Sequence, residues 1–192
     1  MDLGKTLLVV VGGLALIILI VVLWFIGTYN SLISTDQTVN EKWSQVENQY
    51  QRRADLIPNL VETVKGYAAH EKTVMEEVTK ARSQWAAAKS PDEKIKAAGE
   101  MDSAISRLMV VVENYPQLKA SDNFVALQAQ LEGTENRVTV ARMDYNTAVK
   151  EYNTKIKVIP TSIVAGMYGF TDKLYFEAEK GTEKAPKVNF TN

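Results

Sequence analysis

Cysteine is absent from the 192-residue chain, histidine occurs once, and glycine and proline are scarce. The absence of cysteine excludes disulfides, thiol nucleophiles, lipid-modified cysteines and thiolate metal sites. The formal net charge is only -1 and the two signs are interspersed, so the chain lacks the basic field that holds nucleic acid. What is abundant (Ala, Val, Leu, Glu, Lys, Gln and Thr) favours helix.

An apolar run from Leu7 to Ile26, free of charges and side-chain amides, stands near the amino terminus. About twenty helical residues at roughly 1.5 Å each span the hydrocarbon core of a bilayer, which is about 30 Å thick. Trp24 and Tyr29 suit the headgroup boundary at its far end. The run is longer than the apolar part of a signal peptide, and no small-x-small cleavage site follows it. We therefore expect residues 1–27 to form an uncleaved, single-pass anchor.

Basic residues near this run predict its orientation. Lys5 precedes the run, and the first Lys or Arg after it is Lys42. Because positive charge near a membrane span favours the inside, we expect an inside amino terminus and an outside soluble domain.

A regular apolar stripe follows the anchor. It consists of Val39, Trp43, Val46, Tyr50, Arg53, Ile57, Leu60 and Val64. These residues alternate steps of four and three, the 3.5-residue period of a helix in a bundle or coiled coil. Pro58 lies within the pattern, so we expect a kink or local irregularity near Leu56 and Ile57. Lys65 and Gly66 then suit a helix C-terminus.

Further helical segments follow, and their caps are visible in the sequence. Ser90-Pro91-Asp92-Glu93 is a strong start signal, with a capping serine, proline at the first helical position and a glutamate that completes the capping box. A second start at Ser121 opens the last long helix, which Pro160 closes.

These segments predict an all-α fold, in which an N-terminal transmembrane helix is followed by an antiparallel up-down helical bundle. The bundle has four helices if Gly66 breaks the first one, and three if that helix continues to about Ser90. We assign residues 28–170 to the bundle and 171–192 to a partly flexible C-terminal tail.

Arg53 is the charged member of the apolar stripe. A guanidinium that faces a bundle interior needs a partner, because desolvating it alone costs on the order of several kcal/mol. Glu135 and Glu132 on the last helix are the best candidates, with Asp55 as a local alternative. We predict a structural ion pair between Arg53 and Glu135 that sets the register of the two long helices.

Arg142 poses the same question further along the last helix, where Glu41, Gln45 or Glu47 are candidates to lie opposite it. The alternative to a structural role is a ligand site within the bundle, in which these polar groups bind a small anion or an envelope fragment.

Catalytic patterns are missing from the sequence. It contains no Gly-x-Ser-x-Gly, no histidine base beside a serine, and no glycine-rich phosphate loop. His70 has neither a second histidine nor a cysteine to share a metal with, so a solvated or hydrogen-bonded histidine at a helix terminus is the simpler interpretation. We expect no catalytic residue, no cofactor and no metal, and hence no enzyme.

An aromatic and apolar cluster follows the last long helix. It consists of Met167, Tyr168, Phe170, Tyr175 and Phe176. The up-down order of the bundle returns this part of the chain toward the membrane, so the cluster is a candidate contact for a partner or for lipid. Packing over the open end of the bundle is the alternative.

The chain resembles the LemA family of bacterial single-pass membrane proteins. The most specific motif is Asp-Leu-Ile-Pro-Asn-Leu-Val at 55–61. Other residues that carry the resemblance are Tyr29-Asn30, Trp43, Arg53, Lys65-Gly66-Tyr67, His70-Glu71, Ala81-Arg82, Tyr115-Pro116, Leu127, Glu135, Arg137, Ala141-Arg142, Tyr145-Asn146, Tyr152-Asn153 and Pro160. The resemblance implies a helical bundle anchored in the bacterial cytoplasmic (inner) membrane, and it implies no known reaction. Relatives in magnetosome membranes, and others beside membrane-peptidase genes, imply membrane organisation or envelope upkeep by analogy.

Two functions fit these observations. The first is a membrane-anchored, non-enzymatic scaffold or adaptor that forms a homo-oligomer or binds other envelope proteins. The second is a ligand-sensing or substrate-presenting module that regulates a membrane peptidase. The lipid bilayer is the expected environment in both, with the soluble domain on the outer, periplasmic side, and nucleic acid is not an expected partner.

Overall fold

Six helices make up most of residues 3–177, the range that the computed structural model describes. They are α1 (Leu3–Lys65), α2 (Lys72–Ala87), α3 (Pro91–Val112), α4 (Pro116–Lys119), α5 (Asp122–Lys157) and α6 (Thr161–Tyr168). Within this range the chain contains no strand, and the prediction of an all-α fold is confirmed.

The helix α1 is continuous over 63 residues, from the apolar run into the stripe that follows. None of residues 7–26 is buried within the structure, although all are apolar or small. Among the described residues, α1 is the one helix long and apolar enough to cross a membrane. It ends at Lys65, with Gly66 directly after it, which corresponds to the four-helix alternative.

Contacts divide the chain into two units, which we describe separately. The first contains α1 up to Lys42 and Asn146–Lys173, and so includes the end of α5 and all of α6. The second contains Trp43–Tyr145 and the described residues from Leu174 on.

In the second unit, the helices run up and down. The ring of Trp43 on α1 lies 5.5 Å from that of Tyr145 on α5, while Arg53 pairs with Glu135. Residue numbers rise along α1 as they fall along α5, so the two helices are antiparallel. The core between the helices includes Val46, Tyr50, Ile57, Leu60, Val64, Val78, Trp85, Met101, Leu108, Phe124, Leu131 and Val138. Every member of the predicted stripe is buried except Trp43, which is half-buried.

The capping box at the start of α3 has the predicted geometry. The Ser90 hydroxyl accepts the N–H of Glu93 at 3.2 Å, and the Glu93 carboxylate accepts the N–H groups of Lys89 and Ser90 at 2.8 and 3.3 Å. These backbone bonds, that from Lys89 first, lower the pKa of Glu93. The helix start is therefore set by local sequence.

In the first unit, the Asn153 side chain holds the segment that follows α6. Its amide nitrogen donates to the Lys173 carbonyl, and its amide oxygen accepts the Lys173 N–H, both at 2.9 Å. The Lys173 ammonium then pairs with Asp36 on α1 at 2.8 Å. Residues 169–173 are thus fixed to α1 and α5, although they form no helix or strand.

Pro58 does not interrupt α1, and Leu56 and Ile57 remain helical. Proline has no N–H, so the carbonyl of Ala54 loses its normal helical donor four residues on. Arg82 on α2 replaces it, since its Nε donates to the Ala54 oxygen at 2.9 Å. An acceptor that the backbone leaves open is therefore satisfied by a side chain of the neighbouring helix.

This pairing predicts a coupling between Pro58 and Arg82. Arg82→Met removes the donor but keeps the aliphatic length, and we expect it to cost about 1–3 kcal/mol because a buried carbonyl is left unsatisfied. In a Pro58→Ala background, the N–H of residue 58 can serve Ala54, so the cost of Arg82→Met should fall below about 1 kcal/mol. Denaturant unfolding of the full-length chain in detergent, followed by circular dichroism, measures both. Arg52→Met, on the exposed face of α1, is the control; an equal cost of Arg82→Met in both backgrounds would contradict the pairing.

Candidate functional site

Five polar side chains meet in the interior of the second unit. We call them the charge cluster: Tyr50 and Arg53 from α1, Asp102 from α3, and Glu135 and Arg142 from α5. Tyr50 and Arg53 are three residues apart on the apolar stripe, and Glu135 and Arg142 are seven apart on α5. Each pair thus projects from one face of its helix.

Asp102 is the centre of the cluster, and its side chain is only 10% exposed. Its Oδ1 lies 3.1 Å from a guanidinium nitrogen of Arg53. Its Oδ2 accepts the Tyr50 hydroxyl at 2.8 Å and a guanidinium N–H of Arg142. One carboxylate therefore binds two arginines and a phenol that come from two other helices.

The structure brings Arg53 and Glu135 together, the pair expected from the sequence. The Arg53 side chain is 7% exposed, whereas that of Glu135 is 48% exposed, so the glutamate reaches the cluster from its solvent edge. The other two candidates accept hydrogen bonds on their own helices: Glu132 from Gln128 at 3.0 Å, and Asp55 from Gln51 at 2.8 Å.

Arg142 has a partner that the sequence interpretation missed. It pairs with Asp102 and donates to the Tyr50 hydroxyl, while Glu47, one of its expected partners, pairs with Lys94. The signal that identifies Asp102 is its spacing. It lies four residues after Ala98 and three before Ile105, both of which are buried, so it shares their face of α3.

Formal charges balance within the cluster. Two guanidinium groups face two carboxylates, so their sum is zero. Each guanidinium is desolvated at least in part, since the side chains of Arg53 and Arg142 are 7% and 24% exposed. The arrangement therefore suits a tie between three helices, and it offers no surplus charge to an ionic ligand.

Phe176 covers this cluster instead of joining an exposed surface. It is buried, with ring centroids 6.1 Å from Trp43, 5.7 Å from Tyr145 and 6.3 Å from Tyr50. The Arg142 guanidinium carbon lies 5.0 Å from its ring centre. The cation–π contact with Arg142 and the packing against three aromatic rings give the physical reason for its inward position. For Phe176 the structure thus matches the packing alternative given in the sequence analysis, and not an exposed contact.

The rest of that aromatic group is divided between the units. Met167, Tyr168 and Phe170 belong to the first unit, and Tyr175 to the second. Met167, Tyr168 and Tyr175 are exposed, and Phe170 is half-buried. Of the five residues in that group, these four remain candidates for an external contact.

Tyr145 adds a buried phenol beside the cluster. Its hydroxyl donates to the carbonyl of Leu174 at 3.1 Å, which holds the segment before Phe176. Burial, together with the negative charge of Asp92, raises the pKa of Tyr145 to about 12. The phenol thus stays protonated and serves as a hydrogen-bond donor.

A groove of about 850 Å³ lies between α1 and α5 on one side of the second unit, and most of the side chains that line it are polar. Residues that line it include Gln45, Gln49, Arg52, Asn136, Arg137 and Val140. The buried Oε1 of Gln49 has no hydrogen-bond partner among the described residues. The groove is open and lies on the polar faces of the two helices, so it suits another protein surface better than a small apolar ligand.

His70 is exposed in the connection between α1 and α2. Over the range that the structure describes, no group of three or more His, Asp and Glu side chains is arranged to hold a metal ion.

Comparison with known proteins supports the resemblance seen in the sequence. The sequence profile of the LemA family matches residues 42–190. Magnetosome protein MamQ 2 of Paramagnetospirillum magneticum is 27% identical over 93% of this chain and 76% of its own length. Magnetosome protein MamQ of Magnetospirillum gryphiswaldense is 25% identical over 83% of this chain and 68% of its own. Protein LemA of Metamycoplasma hominis is 22% identical over 81% of this chain and 72% of its own.

The charge cluster predicts unequal costs for its two acids. Asp102→Ala leaves two guanidinium groups without their central carboxylate, so we expect a loss of about 3–5 kcal/mol in the free energy of unfolding. Glu135→Ala removes a half-exposed partner and should cost less than about 1 kcal/mol. Chemical unfolding of the full-length chain in detergent measures both values. Glu132→Ala, on the exposed face of the same helix, is the matched control, and similar losses at 102 and 135 would contradict the central role of Asp102.

Proposed function

Since the chain belongs to the LemA family, we propose that it is a membrane-anchored, non-enzymatic scaffold. In this proposal it self-associates and binds other proteins of the bacterial envelope. Residues 7–26 form the anchor in the cytoplasmic membrane, and the helices after it lie on the outer side, as the positions of Lys5 and Lys42 favour.

The observation that carries the proposal is the continuity of α1. Twenty apolar or small residues, all exposed except the half-buried Phe25, continue without a loop into the buried stripe of the second unit. Such a surface is stable in lipid and costly in water, at about 1.5–3 kcal/mol for each large apolar side chain. Beyond Ile26, α1 extends for roughly 60 Å at about 1.5 Å per residue. A helix of this kind suits a protein that holds contact surfaces at a distance from the bilayer.

The charge cluster supports a structural interior over a ligand site. Arg53 and Arg142 are already bound by carboxylates, so a small anion would have to displace Asp102 or Glu135. This pairing argues against the alternative, in which the bundle senses a ligand or presents a substrate to a membrane peptidase.

The groove between α1 and α5 supports an external contact. Val140 is an exposed apolar residue on its rim, among polar side chains such as Arg137 and Asn136. Apolar residues within a polar surround are typical of surfaces that bind another protein. Relatives that carry the name of magnetosome proteins support a role in building a larger assembly, and a second copy of this chain is the partner we propose for the groove.

Single cysteines test this contact without a background, because the natural chain has none. We expect Val140→Cys to give a covalent dimer when intact cells are oxidised, since the two grooves face each other in a symmetric pair. Val125→Cys, exposed on the same helix, and Val110→Cys, exposed on α3, are the controls and should stay monomeric.

Crosslinked bands are then identified by mass spectrometry. A heterologous adduct at residue 140 would show that the groove binds another envelope protein and not a second copy. Equal yields at 140 and 125, together with a monomeric particle in detergent at all concentrations, would contradict self-association.

A further inference from the structure

The segment from Val158 to Phe170 is a second stretch without a charged residue. It contains α6 and the turn before it. Lys157 directly precedes the segment, and Asp172 is the first charged residue after it. Within the first unit it packs through Val164 and Ala165, which are buried.

That other face is apolar and exposed. Ile159 is 84% exposed, Ile163 60% and Met167 68%. The three residues are four apart, so Ile163 and Met167 share one face of α6, and Ile159 lies in the turn that leads into it. An exposed stripe of this composition is unfavourable in water.

The position of α6 along α1 is set by contacts within the first unit. The ring of Tyr168 lies 4.5 Å from that of Tyr29 and 6.1 Å from that of Phe25. Just before the segment, the Lys155 ammonium binds the Ser31 carbonyl at 3.0 Å and lies 2.7 Å from the Thr35 hydroxyl. The segment therefore begins and ends beside residues 25–35 of α1, where the apolar run ends.

We propose that α6 lies in the headgroup boundary of the bilayer as a second membrane contact, with Ile159, Ile163 and Met167 turned toward the acyl chains. The inference rests on the proposed anchor, because α6 reaches lipid only if residues 7–26 span the membrane. The exposed stripe is continuous with the surface of that anchor through Tyr168 and Phe25. Tyrosine rings at this level suit the boundary, where an apolar body and a polar tip are both accommodated.

The lack of charge favours lipid over a protein partner as the contact of this face. Interface rims are normally polar, whereas thirteen consecutive residues here (158–170) carry no charge. Charged residues resume at Lys157 and Asp172, at the two ends of the segment, where the chain leaves the boundary for water. A second contact beside the span limits the depth and tilt of α1, which a single helix does not fix by itself.

Depth-dependent fluorescence quenching tests the proposal on the full chain in phosphatidylcholine–phosphatidylglycerol vesicles. Ile163→Cys and Met167→Cys are each labelled with an environment-sensitive dye, and the natural absence of cysteine makes the labelling specific. Spin labels near the headgroups should quench both dyes more strongly than spin labels deep in the acyl chains. A dye at Leu16→Cys, in the middle of the apolar run, should give the opposite order. A dye at Val110→Cys, exposed on α3, should be quenched by neither kind of spin label.

The outcomes separate this proposal from its premise. If Leu16→Cys is not quenched by lipid spin labels, the anchor itself is wrong, and the role of α6 is lost with it. If Leu16→Cys is quenched and the two α6 positions are quenched only by iodide in water, the anchor stands and the membrane contact of α6 is overturned. Shielding of the α6 dyes from both quenchers would assign this face to a protein, either a second copy or a different partner, and would also overturn it.

Discussion

A carboxylate held between two guanidinium groups ties three helices of the second unit together. Asp102 on α3 binds Arg53 of α1 and Arg142 of α5, so three helices meet at one side chain. Removing Asp102 would leave Arg142 without its carboxylate and Arg53 with only the half-exposed Glu135. A slip of α1 against α5 by one turn would separate the arginines from the carboxylate, so the cluster selects one register from several that the apolar stripes alone would allow.

The packing around the cluster follows from this constraint. Tyr50 donates to the same carboxylate, and the Phe176 ring lies against Arg142, so the Arg142–Asp102 pair is partly shielded from water. Ala54 follows Arg53 in the chain, and its carbonyl has no helical donor because Pro58 lacks an N–H. Arg82 of α2 donates to this carbonyl instead. Arg53, which binds Asp102, and Arg82, which donates to Ala54, are among the residues that carry the family resemblance.

Local signals predicted the elements well, because their causes are local. The alternating steps of the stripe from Val39 to Val64 marked the buried face of α1, and the capping box at Ser90 marked the start of α3. The pairing of Arg53 with Glu135 was also predictable, since the up-down order makes α1 and α5 antiparallel.

The sequence did not identify Asp102, and it left burial of Phe176 as an alternative to a surface contact, because both positions depend on long-range packing. The rotation of α3 decides which of its acids points inward, and the path after α6 decides where the Phe176 ring lies. The sequence did not predict α6, because its eight residues are too few to show a clear helical period of apolar residues.

The most direct test of the account measures Asp102→Ala in two backgrounds, the natural chain and the double variant Arg53→Met with Arg142→Met. If Asp102 serves to neutralise two buried guanidinium groups, its loss should cost about 3–5 kcal/mol of unfolding free energy in the natural chain and less than about 1 kcal/mol once both arginines are apolar. The same cost in both backgrounds would contradict the account, because Asp102 would then stabilise the bundle through contacts other than these charges.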